Sequence, residues 1–155
     1  MPSREKFTIM KRIFFALAAA LSLLVSCGKE KPEEDSGLFR EPLLIWGASQ
    51  DEVISKVGQP TEKIGNLLKY ESDESLYEYY FWDNKLIESS VYLPLSVSFE
   101  DLVAFLKEKY VIREEFCHES LLYFNTKDGE TKIGVNENFG DTRVIAYSKN
   151  DGDPL

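Results

Sequence analysis

Histidine and cysteine are scarce in this chain, whose 155 residues include one histidine and two cysteines. A lone histidine with so few thiols cannot supply a zinc site without carboxylate ligands. The sequence also has no Gly-rich phosphate loop and no Gly-x-Ser-x-Gly nucleophile motif. Acidic residues outnumber basic ones by 27 to 18, and the formal net charge of −9 disfavours nucleic acid and, by charge alone, anionic lipid. We therefore predict no enzymatic activity, no cofactor, no metal site and no nucleic-acid partner.

A long hydrophobic run is absent as well, since the longest uncharged apolar stretch covers only residues 13–25. As a helix this stretch spans about 20 Å, which is too short for a hydrocarbon core of roughly 30 Å. It follows the basic pair Lys11–Arg12, and this order is the layout of a secretory signal peptide. Met10 is an alternative start, because residues 1–9 add nothing to such a signal.

The residues that close the apolar stretch, Leu24-Val25-Ser26-Cys27, resemble the lipobox of bacterial lipoproteins. The resemblance implies removal of the signal peptide 1–26, acylation of Cys27 (palmitate among the chains) and an outer-membrane location, on the periplasmic side or at the cell surface. Two acyl chains already give stable anchoring. Cleavage removes four basic residues and one acidic residue, so the formal charge changes from −9 to −12. A soluble secreted protein cut nearby is the alternative.

The segment behind Cys27 is rich in charge, proline and glycine and shows no periodicity. Residues 27–42 are therefore predicted to be a flexible acidic tether. Their acidic residues resemble the surface-export tracts of lipoproteins from the Bacteroidetes group, and a plain solvated spacer is the alternative. Residues 43–150 suit a single domain, with 151–155 as a frayed tail. Asp151-Gly152-Asp153 lacks the spaced oxygens and the closing Glu of a calcium loop.

Capping signals and apolar periodicity predict two helices. The first begins behind Ser49, whose spacing to Glu52 is that of a capping box, and ends at Gly58. The second begins behind the cap residue Ser98 and covers residues 99 to about 110, where apolar side chains recur at three- and four-residue spacing.

The remaining apolar runs are short and strand-like. They are residues 67–70, 76–82, 86–93, 121–125, 131–135 and 143–148. Helices that interrupt antiparallel hairpins indicate an α+β fold, with two helices packed on one face of an antiparallel sheet of about six strands. Glu74-Ser75-Leu76 and Glu119-Ser120-Leu121 lie 45 residues apart and suggest a degenerate α-β-β-β duplication.

Asp83-Asn84 is predicted to be a two-residue hairpin turn. An uninterrupted register from this turn puts mainly apolar residues on one face, which is the predicted core. That predicted core face consists of Leu76, Tyr80, Trp82, Ile87, Val91 and Leu93. The predicted binding face opposite it consists of Tyr77, Tyr79, Phe81 and Tyr92. If exposed, these aromatic residues mark a protein or glycan site; the alternative is that a helix or other strands cover them as core.

Cys117 and His118 are the one pair that suggests a nucleophile with its base. On an extended segment, neighbouring side chains point to opposite sides, so the thiolate and the imidazole cannot meet. Cys117 is therefore predicted to be a small buried hydrophobic residue and His118 a surface residue. With Cys27 acylated, Cys117 has no partner for an intramolecular disulfide.

A family resemblance rests on a set of residues behind the lipobox and ahead of the hairpins. They are Ser49, Glu52, Val53, Val57, Gly58 and Pro60. They resemble the small outer-membrane lipoproteins of the SmpA/OmlA type, which share a fold with the β-lactamase-inhibitor protein, in which helices lie on an antiparallel sheet whose open face binds other proteins. This chain departs from the family in placing its second helix between two sets of strands.

The resemblance implies a non-enzymatic, lipid-anchored module of the cell envelope that binds an envelope protein through a sheet face. A surface glycan-binding lipoprotein is the main alternative, and a hydrolase is a weaker one. No oligomeric state follows from the sequence.

Overall fold

The computed structural model describes residues 38–152. The predicted signal peptide, Cys27, tether residues 28–37 and the last three residues lie outside the described residues. No helix in the described range is long and apolar enough to cross a membrane.

Two α-helices, one short 3-10 helix and eight strands make up the described part of the chain. In chain order they are α1 (Gln50–Val57), β1 (Glu62–Ile64), β2 (Leu67–Glu71), β3 (Leu76–Trp82), β4 (Lys85–Pro94), α2 (Phe99–Lys109), β5 (Val111–Ile112), the 3-10 helix (Glu114–Phe116), β6 (Leu121–Asn125), β7 (Thr131–Phe139) and β8 (Thr142–Lys149). The predicted α+β class is confirmed. The sheet has eight strands in this range, and not about six, because the very short strands β1 and β5 were not predicted.

The strands form one antiparallel sheet in the order β1-β2-β3-β4-β8-β7-β6-β5. Each half therefore consists of a helix followed by four strands, and the halves join where β4 pairs with β8. Glu74-Ser75-Leu76 leads into β3 and Glu119-Ser120-Leu121 into β6. These are the third strand of one half and the second strand of the other, so this short sequence repeat does not mark equivalent positions.

Both helices begin where their capping residues predict. Ser49 and Glu52 form the reciprocal capping box of α1, and the Ser98 side chain accepts a hydrogen bond from the Asp101 backbone N–H at the start of α2. Helices of 8 and 11 residues are too short to be stable alone. Val53 on α1 and Leu102 on α2 are fully buried, so packing on the sheet supplies the missing stabilisation.

The hairpin between β3 and β4 contains a one-residue bulge, which differs from the predicted uninterrupted register. Its predicted turn is confirmed, and Asp83 and Asn84 both have positive φ. Phe81 pairs with Leu86 as predicted, but Tyr80 pairs with Glu88, which leaves Ile87 as the extra residue. A shift of one residue moves every side chain beyond it to the opposite face of the strand.

The bulge corrects the predicted core face. Val91 and Leu93 are buried as predicted, but Trp82 is 67% exposed and Tyr80 41% exposed. Ile87, at 40%, is also exposed. Beyond the bulge, Val91 pairs with Tyr77 and not with Leu76. The apolar residues of β4 therefore share a face with the residues that were predicted to be the binding face.

One face of the sheet is covered and contains two hydrophobic clusters. The larger cluster joins α2 to β4, β6, β7 and β8 through buried residues such as Leu106, Phe124 and Ile145. The smaller cluster joins α1 to β2, β3 and β4 through residues such as Val53 and Leu68. Leu122, Phe124, Ile133 and Val135 lie together on this face.

Residues 38–48, here called the strap, pack on the same face. Phe39 is only 7% exposed and packs edge-on against Phe105, with the ring centroids 5.5 Å apart. The Leu43 backbone N–H donates to Tyr79 Oη at 3.1 Å, and Ser89 Oγ donates to the Leu43 carbonyl at 3.1 Å. Glu41 accepts hydrogen bonds from Lys109 and Tyr110. Residues 38–42 therefore pack as part of the domain and do not belong to the predicted tether.

We expect Phe39→Ala to lower the free energy of unfolding by about 3–5 kcal/mol, because it leaves a cavity against Phe105. Phe139→Ala is the matched control, since Phe139 is 58% exposed and its loss is expected to cost less than about 1 kcal/mol. Urea unfolding of both variants measures the difference. Equal losses of unfolding free energy in the two variants would contradict the assignment of the strap to the core.

Candidate functional site

The four residues of the predicted binding face do not form one surface. Phe81 is fully buried and Tyr79 is 3% exposed. Tyr77 shares their face, and its Oη donates to the Arg40 carbonyl in the strap at 2.8 Å. Tyr92 pairs with Leu76 and lies on the opposite face. The predicted face is therefore wrong, and the alternative that a covering layer makes these residues core is correct for Tyr77, Tyr79 and Phe81.

The opposite side of the sheet, here called the open face, carries a different aromatic set. Within residues 38–152, both helices and the strap pack on the other side. The strand pairing assigns five aromatic residues to the open face: Tyr80, Trp82, Tyr92, Tyr123 and Phe139. An uncovered aromatic surface of this kind is the strongest candidate site in the described chain.

One corner of the open face is an apolar patch beside the turns of two hairpins. Ile64 pairs with Leu67, and Leu67 pairs with Tyr80, so these residues form a row across β1, β2 and β3. Ile64 is 52% exposed, and Trp82, which follows Tyr80 on the same face of β3, is 67% exposed. Ile87, the extra residue of the bulge in the neighbouring strand β4, is 40% exposed. This corner patch consists of Ile64, Leu67, Tyr80, Trp82 and Ile87.

The centre of the open face carries small side chains. Ser90, Ala146 and Gly134 face one another across β4, β8 and β7. Tyr123 pairs with Gly134, and its ring lies 3.6 Å from the position that a Cβ of Gly134 would occupy. The tyrosine ring thus covers the space that the glycine leaves.

Beside this centre lies a polar network that involves Tyr92. Its hydroxyl donates to Glu78 Oε2 at 3.0 Å, and Lys69 Nζ lies 3.3 Å from Glu78 Oε1. Burial, together with the hydrogen bond to Glu78, raises the pKa of Tyr92 to about 12. The Phe139 ring packs against Tyr92 with a centroid separation of 6.4 Å.

The open face has almost no net charge, although the chain as a whole carries −9. The charged residues that the strand pairing assigns to it are Glu62, Glu71, Glu78 and Glu88 against Lys69, Lys85 and Lys132. The acidic excess therefore lies mainly on other surfaces. Aromatic enrichment with few uncompensated charges is typical of protein interfaces.

Cys117 has a structural role at the edge of the sheet. Its Sγ donates to the Arg113 carbonyl at 3.3 Å and accepts from the Tyr123 backbone N–H at 3.4 Å. The sulfur therefore satisfies the Tyr123 backbone N–H at a position where β5 has ended and no strand partner is present. Cys117 is half-buried, and not fully buried as predicted, whereas His118 is exposed as predicted.

The helix side of the sheet holds a shallow groove of about 390 Å³ between α2 and β6. Its lining is mostly apolar: Phe99, Glu100, Val103, Ala104, Lys107 and Leu122. It contains neither a nucleophile nor an acid–base pair of carboxylates. Across residues 38–152, no group of three or more His, Cys, Asp or Glu side chains could hold a metal ion.

No protein-family model, curated protein or solved structure matches this chain.

The two faces of β3 predict opposite responses to truncation of neighbouring residues. Phe81→Ala is expected to cost about 3–5 kcal/mol of unfolding free energy, because Phe81 is fully buried. Trp82→Ala is expected to cost less than about 1 kcal/mol, because the indole is mainly in water. Chemical denaturation of the two variants tests this order, and a reversed order would restore the uninterrupted register.

The Tyr92 network predicts a pH response. In Glu78→Gln we expect the pKa of Tyr92 to fall from about 12 towards, but not to, its ordinary value of 10.0, because burial remains. The raised pKa means that Tyr92 contributes stability that is complete below pH 10 and is lost as pH rises towards 12. Phenolate absorbance during alkaline titration measures the shift, with Tyr92→Phe to identify the signal. An unchanged Tyr92 titration in Glu78→Gln would contradict the network.

Proposed function

We propose that the protein is a lipid-anchored binding module of the cell envelope and that it contacts an envelope protein through its open face. The exposed, uncovered aromatic side chains of that face carry the proposal. The anchor at Cys27 and the outer-membrane location rest on the lipobox resemblance, and both concern residues outside the described range. A non-enzymatic role agrees with the hydrogen bonds that the Cys117 thiol forms with two backbone groups. Cys117 is the one candidate nucleophile named from the sequence.

Trp82 is the expected centre of the contact. It is the most exposed large hydrophobic residue in the described chain, at 67%, and Tyr80 and Ile87 flank it in the corner patch. Tryptophan and tyrosine are the residue types most often found to dominate binding energy. The sheet also holds these side chains on a rigid framework, so little conformational entropy is lost when a partner orders them.

The other surfaces of the domain are less suited to a partner. The sheet edges are short, since β1 has three residues and β5 two, and neither offers a long row of free backbone groups to an added strand. The helix side carries acidic residues in the first turns of both α1 and α2. The open face therefore remains as the broad surface with little net charge.

The SmpA/OmlA-type resemblance supports the same use of the sheet, since that family binds proteins through the open face of an antiparallel sheet.

We also infer that the two halves of the domain arose by duplication. The order of helix and four strands occurs twice, and the halves meet symmetrically at β4 and β8. Such an arrangement gives a wide sheet from one small unit.

Site-specific photo-crosslinking in intact cells tests the proposal. A photoreactive amino acid at Tyr80 should give a discrete crosslinked protein, and the same group at Val57, which is 36% exposed on α1, should not. Adding Trp82→Ala to the Tyr80 probe should reduce the crosslinked yield at least about tenfold, since a central aromatic contributes about 2 kcal/mol or more. Ile45→Ala, which removes an apolar side chain 41% exposed in the strap, is the matched control and should leave the yield unchanged.

Two outcomes would contradict protein binding at this face. One is equal crosslinking from Tyr80 and Val57. The other is a saturable change in Trp82 fluorescence with added oligosaccharide, absent in Trp82→Phe, which would favour the glycan-binding alternative.

A further inference from the structure

Two carboxylates and two tyrosines meet on the open face at the middle of β3 and β4. Tyr80 pairs with Glu88, and the next open-face pair along these strands is Glu78 with Ser90. Directly opposed side chains have Cβ atoms about 5 Å apart, and diagonal neighbours lie about 7–8 Å apart. Tyr92 joins the group through its hydrogen bond to Glu78.

The two carboxylates differ in how far their charge is compensated. Glu78 pairs with Lys69 and accepts from Tyr92, and its side chain is only 19% exposed. Glu88 is exposed and accepts a hydrogen bond from Ser90 Oγ at 3.1 Å. Among the described residues, Glu88 forms no ion pair with a lysine or arginine. Glu88 is thus a positioned, uncompensated carboxylate beside the exposed ring of Tyr80.

A guanidinium group suits this arrangement better than other cations. It is planar and permanently charged, and it offers two parallel N–H donors to a single carboxylate. It also stacks on aromatic rings, whereas a lysine ammonium acts as a compact, strongly hydrated charge. Tyr80 supplies the ring and Glu88 the acceptor, while Lys69 lies on the far side of Glu78, towards β2.

We propose that the open face docks on a protein surface that presents an arginine, with the guanidinium held between the carboxylate of Glu88 and the ring of Tyr80. This inference rests on the proposed function and specifies the chemistry of the partner. Apolar partner groups next to the arginine contact Trp82 and Ile87 in the corner patch. The charge of −9 on the whole chain attracts a basic partner at long range, and the open face then supplies the specific contacts.

Matched small probes test this contact directly. N-acetyl-arginine methylamide and its neutral isostere N-acetyl-citrulline methylamide are titrated into the folded protein, and the ring resonances of Tyr80 and Tyr92 are followed by NMR. Saturable shifts with the arginine probe and none with the citrulline probe are expected. Glu88→Gln should weaken arginine binding about threefold to tenfold, as loss of an exposed ion pair aided by stacking predicts.

Glu100→Gln on α2 is the matched control, because it removes the same charge from an exposed helix position. It should leave the shifts of Tyr80 unchanged. Equal effects of Glu88→Gln and Glu100→Gln, equal shifts with both probes, or no shift of Tyr80 would overturn the proposal. The crosslinking experiment separates the two claims: a protein crosslinked through Tyr80 that places no arginine at the contact removes this inference alone, and a lack of crosslinks removes the proposed function.

Discussion

The extra residue at position 87 determines which side chains of the sheet are buried and which reach water. With Ile87 outside the ladder, Val91 and Leu93 join the face of Tyr79 and Phe81. Val91 then pairs with Ile145 on β8, and Ile145 pairs with Val135 on β7. The apolar stripes of the two halves therefore line up across the central pair of strands, and both helices can pack on one continuous surface. Without the bulge, the apolar residues of β2 and β3 would lie on the opposite side of the sheet from those of β4, β7 and β8. No single surface would then join the two sets.

The elements that could be predicted from the sequence are those whose signals are local. The capping box at Ser49, the cap at Ser98 and the Asp83-Asn84 turn each specify backbone geometry within a few residues, and the structure contains all three. Six strands were predicted, five of them within one residue of their observed bounds, whereas β7 continues four residues beyond its predicted end. The short strands β1 and β5 were missed because two or three residues carry no periodicity, and the pairing that defines them comes from the partner strand.

The faces of β3 could not be assigned from aromatic content, because both faces of this strand are aromatic. Glu78 was a usable signal, since a carboxylate between Leu76 and Tyr80 is costly to bury, and Glu88 on β4 is a second one. In an uninterrupted register, Glu88 pairs with Tyr79 and lies on the opposite face from Glu78. One extra residue in β4 is therefore needed to place both carboxylates on the face that reaches solvent.

The strap was not predicted for another reason. Phe39 lies in a charged stretch of the sequence, and its partner Phe105 is far away along the chain.

The strap completes the layer that covers one face of the sheet, and no such layer covers the open face within residues 38–152. Eight strands spaced about 4.8 Å apart span about 34 Å. Two helices, each about 10–12 Å wide, leave a gap of about 10–14 Å between them. An extended segment fills such a gap, and the strap does so with Trp46, which contacts both hydrophobic clusters. These three pieces account for the covering layer of the described chain, so the aromatic residues on the other side have no covering layer within residues 38–152.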